Sequence, residues 1–399
     1  MPKNIIFCAD GTWNGPGETD SDDKTARTTN VFKLFVNLDG QDTPETALLA
    51  KEQERILTDD TNTELQCAKY LHGVGDSANF LLQAVGGTLG TGLITRIVRG
   101  YTYISRNYVA GDRIFIVGFS RGAYTARALA GLIAAKGLLY ASKNNLDDKT
   151  NAYRLGSAVW YAYRRKALHT NTDLLGQLEE TALDLPHFLW SPPGDDQLIA
   201  PTPIEAVAVW DTVGSLGIPE FAVNAERVDA FQFADTKLSD MVRHGIHAVA
   251  VDERRADFTP TLWDADDRII QVLFPGAHSD VGGGYPTTGT ESGLSDWSLR
   301  WMTQQLDSLG VKFASSPCYV ATPKATGTGH EPWLTAPWNV LVRGARSFPP
   351  GLCVAQCLID RCRGGPVVAE PGMLPSPYVP GNLVGYMDGV NPAPGVTAV

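Results

Sequence analysis

The pentapeptide Gly118-Phe119-Ser120-Arg121-Gly122 constrains the fold of this chain more than any other feature, because of what stands on either side of it. Residues 113–117 form a short, almost wholly apolar run of the kind that becomes a strand buried on both faces. Residues 123–136 change to alanine-rich spacing with the helical period. A chain that passes from strand to helix in so few residues must bend sharply and bring two backbones together, which bulky flanking residues would prevent. Gly118 and Gly122 are therefore expected to be steric requirements of the turn. Ser120, between them, is expected in an uncommon backbone conformation with its hydroxyl at a helix N-terminus.

The same grammar recurs along the chain. Apolar runs at residues 5–9, 205–210 and 269–274 end in Asp10-Gly11-Thr12, Asp211 and Pro275-Gly276, and helical stretches such as 91–105 and 123–136 lie between such runs. This alternation predicts an α/β fold: one mostly parallel sheet flanked by helices, with chemistry at the carboxyl ends of the strands. Residues 139–201 depart from the pattern. They read as a helical insertion with an aromatic stretch (Tyr153, Trp160, Tyr161, Tyr163) and a Pro-rich segment carrying Phe188, Leu189 and Trp190. A cap over a substrate and a plain packing excursion are both open for it. From residue 322 onward Pro, Gly and Thr are dense, which predicts an irregular C-terminal wrap with a looser tail at 373–399, all within one domain spanning 1–399.

Composition narrows the function classes. With 399 residues, 43% of them hydrophobic, the chain can bury a large core. A formal charge of −11 argues against a nucleic-acid or anionic-membrane partner held by general electrostatics, since both need a basic face, and leaves a local basic patch open. Six scattered cysteines predict reduced thiols. Cys353, Cys357 and Cys362 lack C-x-x-C spacing and a nearby histidine, so no metal is expected there, and one C-terminal disulfide stays open. The N-terminal apolar run is too short for a signal-peptide core, and no run approaches the roughly 20 residues that span a bilayer. The expectation is a chain without a transmembrane segment, cytoplasmic by default, with signal-independent export open. The glycines at 86–92 lack the Lys-Ser/Thr of a phosphate-binding loop and read as the entry to the next helix.

A serine presented between strand and helix in a G-x-S-x-G frame fits a nucleophile elbow, with the Arg121 amide as an oxyanion donor. Such a serine needs a base, and the base needs an acid, in the order Ser, Asp, His. Among seven histidines, His278 lies on a glycine-rich loop directly after a strand. His244 and His247 look like helix-face residues, and His72, His169, His187 and His330 show no strand end behind them. Asp211, at the end of the 205–210 strand, is the expected acid. Asp280 is its rival, two residues from His278, and Asp252 and Asp257 are weaker. The chemistry this predicts is carboxylic-ester hydrolysis through an acyl-enzyme, with an ester or lipid as substrate and no cofactor.

These segments together resemble the Tle1-like, or DUF2235, family, which includes the catalytic domain of type VI secretion phospholipase effectors. The resemblance is carried by residues 5–14, Gly73-Val74-Gly75, residues 111–127 around Ser120, residues 209–214 around Asp211, residues 248–263 with Asp252-Glu253-Arg254-Arg255, and the His278 loop. It implies an α/β-hydrolase fold and a triad of Ser120, Asp211 and His278. It also implies a second oxyanion donor from the backbone of Gly11 or Thr12, with Asp10 supporting that loop or holding a cation. The family's phospholipase effectors are longer and carry a membrane-engaging region. A phospholipase A with transient lipid-surface contact, and a non-catalytic binding protein on the same fold, are the alternative functions.

Overall fold

The computed structural model describes residues 2–11, 28–45, 52–73, 89–168, 191–213, 236–336, 338–340 and 342–399. Its strands are β1 (Asn4–Ala9), β2 (Gln41–Asp42), β3 (Glu52–Thr58), β4 (Glu64–Leu71), β5 (Arg113–Phe119), a separate short pair β6 (Leu138–Leu139) and β7 (Leu198–Ile199), then β8 (Ile204–Trp210), β9 (Val242–Ala250), β10 (Ile269–Phe274) and β11 (Cys353–Val354). All but β6 and β7, and a second short antiparallel pair, β12 (Met387–Asp388) and β13 (Asn391–Pro392), join one nine-stranded sheet in the order β11-β10-β9-β8-β5-β1-β4-β3-β2. Every pairing from β4 through to β11 is parallel, and β3 and β2 extend the sheet antiparallel.

Successive residues of a strand point to opposite faces, and here both faces are covered. Ile5, Phe7 and Ala9 of β1 pack with helices α2 (Leu89–Asn107) and α3 (Arg121–Lys136) through Ile97, Val98 and Leu129. Ile6 and Cys8 pack the other way, with α1 (Asn30–Asn37) and α6 (Gly293–Ser308) through Leu34, Phe35 and Met302. That is why β1 is buried at every position rather than at alternate ones. The chain goes from β1 to β4 on one side and then crosses to β5 on the other. The loops after β1 and β5 thus part company at a topological switch point, where open α/β sheets form their ligand crevice. Register aligns these ends: Ala9 lies opposite Gly118, Phe119 opposite Trp210, and Trp210 opposite Ala248.

Within the 139–201 insertion, helix α4 (Lys149–Leu168) extends the α2/α3 layer. Trp160 is buried there, and the Tyr153 hydroxyl lies 3.1 Å from Thr95 Oγ1 of α2. Those two aromatic residues therefore serve helix packing. Phe188, Leu189, Trp190, His169 and His187 lie outside the described residues, as does the 86–88 part of the glycine run.

Three sequence readings need correction. Residues 242–250, taken as a helical face, are strand β9, where His247 is fully buried between β8 and β10. His72 does have a strand end behind it, following β4 directly. β3 and β4 themselves were not foreseen. The wrap after residue 322 contains β11 at the sheet edge and helix α7 (Gln356–Arg363). Its tail returns to that edge, with the Val399 amide donating to Val354 O at 2.9 Å and the Gln356 amide to Val399 O at 2.7 Å. All six cysteines are unpaired thiols.

Candidate active site

Three strand ends deliver the expected residues. Ser120 follows β5 and caps α3, with φ 57° and ψ −126°, and its amide donates to Trp210 O at 3.1 Å. Asp211 follows β8 with φ 35°. Among the described residues only one other non-glycine, Asn62, has positive φ. Such conformations cost about 1–3 kcal/mol each and persist only where the surroundings fix them. The turn around Ser120 leaves no room for larger residues at its two glycines. A Cβ on Gly122 would sit 2.1 Å from the Ala9 carbonyl oxygen, and one on Gly118 would sit 2.4 Å from Gly122 O.

His278 opens the short helix α5 (His278–Gly282) directly after β10 and is 4% exposed. Its Nδ1 lies 2.5 Å from Asp211 Oδ2. The imidazole stands between two rings, Phe119 at 4.5 Å and Phe258 at 5.0 Å centroid to centroid, and its backbone amide donates to Glu253 Oε2 at 3.2 Å. Phe119, the nearer of these rings, is the residue before Ser120. No hydrogen bond joins Ser120 to His278 among the described residues.

Asp280 does not compete for His278. Its carboxylate accepts the Ala277 amide at 2.9 Å and holds His330, through Nδ1 at 2.7 Å and the backbone amide at 3.0 Å. It fixes the start of α5 and joins it to the C-terminal segment. His330 in turn stacks on Tyr285.

The residue that sequence reasoning missed is Arg346. Its guanidinium grips Asp211 with both arms, Nη1 to Oδ1 at 2.7 Å and Nη2 to Oδ2 at 2.9 Å, and also donates to Ala250 O at 2.6 Å and Phe258 O at 2.5 Å. The Ala250 amide adds a further bond to Asp211 Oδ1 at 2.9 Å. Burial alone would raise the pKa of Asp211, but the Arg346 charge and the His278 hydrogen bond outweigh it and hold the carboxyl well below the usual range. Burial also pushes the His278 pKa down, against the pull of Asp211. Both groups are thus set for a neutral imidazole beside an ionised carboxylate.

At the end of β1, Asp10 is fully buried and accepts from Tyr70 Oη at 2.6 Å, Thr29 Oγ1 at 2.8 Å and the Gly11 amide at 2.6 Å. Burial raises its pKa to about 7 despite these bonds. Gly11 packs against the elbow, since a Cβ there would lie 3.3 Å from Ser120 Cβ, but its amide faces Asp10 rather than the serine. Thr12 lies outside the described residues. The Arg121 amide stands at the first position of α3, where backbone N–H groups are directed outward from the helix. Among the described residues no group of His, Cys, Asp and Glu is arranged to hold a metal ion, and no helix is long and apolar enough to cross a membrane.

The chain is similar to several known proteins. An uncharacterized protein of Saccharomyces cerevisiae is 27% identical over 256 residues, which cover 64% of this chain and 32% of that one, so the chain spans about a third of that relative's length. Among solved structures, an uncharacterized protein from Pseudomonas aeruginosa aligns with TM-score 0.42 and 18% identity, covering 78% of this chain and 46% of that chain. The Tle1 effector bound to the VgrG spike of the type 6 secretion system aligns with TM-score 0.37 and 17% identity, over 71% and 51% of the two chains. The family model described as the catalytic domain of Tle1-like type VI secretion phospholipase effectors matches residues 3–305, and with three quarters of its length so matched the chain belongs to that family.

Proposed function

We propose that this protein is a serine hydrolase that cleaves carboxylic esters of lipids through an acyl-enzyme. The observation that carries the reading is the buried 2.5 Å contact between Asp211 Oδ2 and His278 Nδ1 at the sheet edge where Ser120 occupies its strained turn. An aspartate on Nδ1 fixes the tautomer that leaves Nε2 as a proton acceptor. Ser120 Oγ then loses its proton to Nε2 as it attacks the ester carbonyl carbon. The negative charge that builds on the carbonyl oxygen is met by the Arg121 amide and by a second donor from the loop after β1, which falls to Thr12 because the Gly11 amide is given to Asp10. The imidazolium returns its proton to the departing alcohol, and water repeats the cycle to release the acid and regenerate Ser120. Asp10 supports the β1 loop in this scheme, and the chemistry needs no cofactor.

A narrower reading, phospholipase action at a lipid surface, is favoured by the wall beside His278. Trp338 packs on Phe258 at 5.7 Å, and the same segment exposes Val340 and Val342 at 77% and 76%. Exposed aliphatic side chains beside a reactive centre suit contact with an apolar phase. The test is labelling by a fluorophosphonate, which requires an activated serine, together with turnover of nitrophenyl esters and of phosphatidylcholine vesicles. Ser120→Ala should abolish labelling and lower turnover by several orders of magnitude. Undiminished turnover by a folded Ser120→Ala protein removes the proposal, and turnover of soluble esters alone removes the narrower reading.

A further inference from the structure

A concave site of about 460 Å³ opens between β3, β4, α2 and α4, and shares no residue with the Ser120 site. Pockets of this size hold small molecules. Its charged lining is lopsided: Lys69, Arg99, Arg106, Lys149 and Arg154 converge on it, against Glu52 and Glu54 alone. Both carboxylates are already shared. Lys69 bridges the two of them, Arg99 takes the other side of Glu52, and Arg106 reaches Glu54 at 2.9 Å. Lys149 and Arg154 are exposed and have no ion-pair partner among the described residues, Arg154 donating only to Asn151 Oδ1 at 2.9 Å. Five cations to two anions leaves an excess of three positive charges around one hollow, in a chain whose formal charge is −11.

Ion pairing between sheet and helix accounts for Lys69, Arg99 and Arg106; Lys149 adds only a longer-range attraction to Glu52, and Arg154 pairs with no carboxylate among the described residues. Like charges gathered around a concave surface repel unless an anion lies between them. Lys149 also stands at the N-terminus of a 20-residue helix, where a cation opposes the dipole. Asp148 already accepts the Thr150 and Asn151 amides, so an anion would meet side-chain cations rather than helix N–H groups. Tyr103 and Tyr153 supply aromatic wall, with Lys69 Nζ 5.4 Å from the Tyr103 ring centre. An excess of three charges, with guanidinium forks among them, matches a multiply charged phosphate group better than a single carboxylate. We propose that this groove binds a ligand bearing one or more phosphate groups, at a site separate from the reaction centre.

The experiment uses the full chain at low ionic strength, with calorimetric titration of pyrophosphate and melting temperature followed in parallel. Sodium acetate and sodium chloride at matched ionic strength are the controls. Pyrophosphate should bind and raise the melting temperature where the controls do not. The double variant Lys149→Gln/Arg154→Gln, at exposed positions, should bind at least about tenfold more weakly, as expected for losing charge-assisted contacts. Arg300→Gln, a surface cation elsewhere, should bind like the parent. Co-sedimentation with phosphatidylcholine vesicles, with and without phosphatidic acid, then tells the ligand's source: membrane binding lost in the double variant identifies a lipid headgroup, and pyrophosphate binding alone identifies a soluble phosphate. No binding of pyrophosphate, equal stabilisation by the control salts, or binding unaffected by the double substitution would each overturn the proposal.

Discussion

Replacing Arg346 by glutamine removes one positive charge from the acid–base pair and little volume. Nη2 lies 2.9 Å from Asp211 Oδ2, which lies 2.5 Å from His278 Nδ1, so guanidinium and imidazole nitrogens are no more than about 5.4 Å apart. A unit charge at that distance, with an effective dielectric constant near 20, acts on an imidazolium with about 3 kcal/mol, on the order of two pK units. A positive neighbour opposes protonation of the imidazole, so its removal raises the pKa of His278. The other groups facing the ring stay in place: Asp211 on Nδ1, Glu253 on its amide, and Arg255, which pairs with Glu253 and lies 3.6 Å over the Phe258 ring. On the Asp211 side, His247 donates no charge, since burial pushes its pKa down to about 3.

The parent protein should therefore show an acid limb in kcat/KM below the ordinary histidine range, with activity present above it and lost as pH falls through it. In Arg346→Gln that limb should move up by about 1–2 pH units. Arg346→Lys keeps the charge but cannot grip both oxygens, so it should hold the limb near the parent position while lowering the plateau. The limb is best read from the pH dependence of fluorophosphonate labelling, because it does not depend on the true substrate. Ala250 O and Phe258 O each lose a donor in the glutamine variant, at roughly 1–3 kcal/mol per unsatisfied group, so melting must be followed alongside. A folded Arg346→Gln protein whose acid limb is unmoved, or moves to lower pH, refutes the reasoning.

Asp211→Asn should cut kcat by about four orders of magnitude, the scale set by losing a triad aspartate, and lower the melting temperature as well because Arg346 loses its counter-charge, whereas Asp280→Asn should lower the melting temperature with little loss of kcat. Equal losses of kcat in the two variants would mean that the acid is misassigned. Gly122→Ala places a Cβ 2.1 Å from the Ala9 carbonyl and should lose several kcal/mol of stability or fail to fold, measured by chemical denaturation against Gly365→Ala, where no atom lies within 4 Å.

Ser120, Asp211 and His278 were legible because each follows its strand directly, so a local run of residues states both the element and the position at its end. Arg346 was not, because its partner lies 135 residues away and its own surroundings read only as turn-forming sequence. β3 escaped notice for a related reason. Glu52-Gln53-Glu54-Arg55 carries charge on a strand near the sheet margin, where half-exposed positions tolerate it and the apolar run that marks a central strand is missing. β9 was misread because its first half is polar and His244 and His247 recur at helical spacing. In the folded chain His247 accepts the Thr212 amide at 3.1 Å and approaches Gln271 Oε1 at 3.3 Å, partners that only the assembled sheet brings near.

The proposed reacting groups and the groups that hold them come from different parts of the chain. Ser120, Asp211 and His278 all lie within residues 3–305, the part that matches the family. Arg346 on Asp211, His330 on Asp280, Tyr378 on Asp252 at 2.8 Å, and Asn382 on both Val251 O and Arg346 O all lie beyond it. An Asp buried at positive φ has two reasons to leave its place: its charge is costly without a partner, and its backbone is strained. Within residues 3–305 it is answered by the Ala250 amide and by His278, whose protonation burial opposes. The guanidinium from the C-terminal segment supplies the permanent charge that those two cannot. The segment that looks least ordered in sequence therefore does the most to keep the acid ionised and aimed at the base.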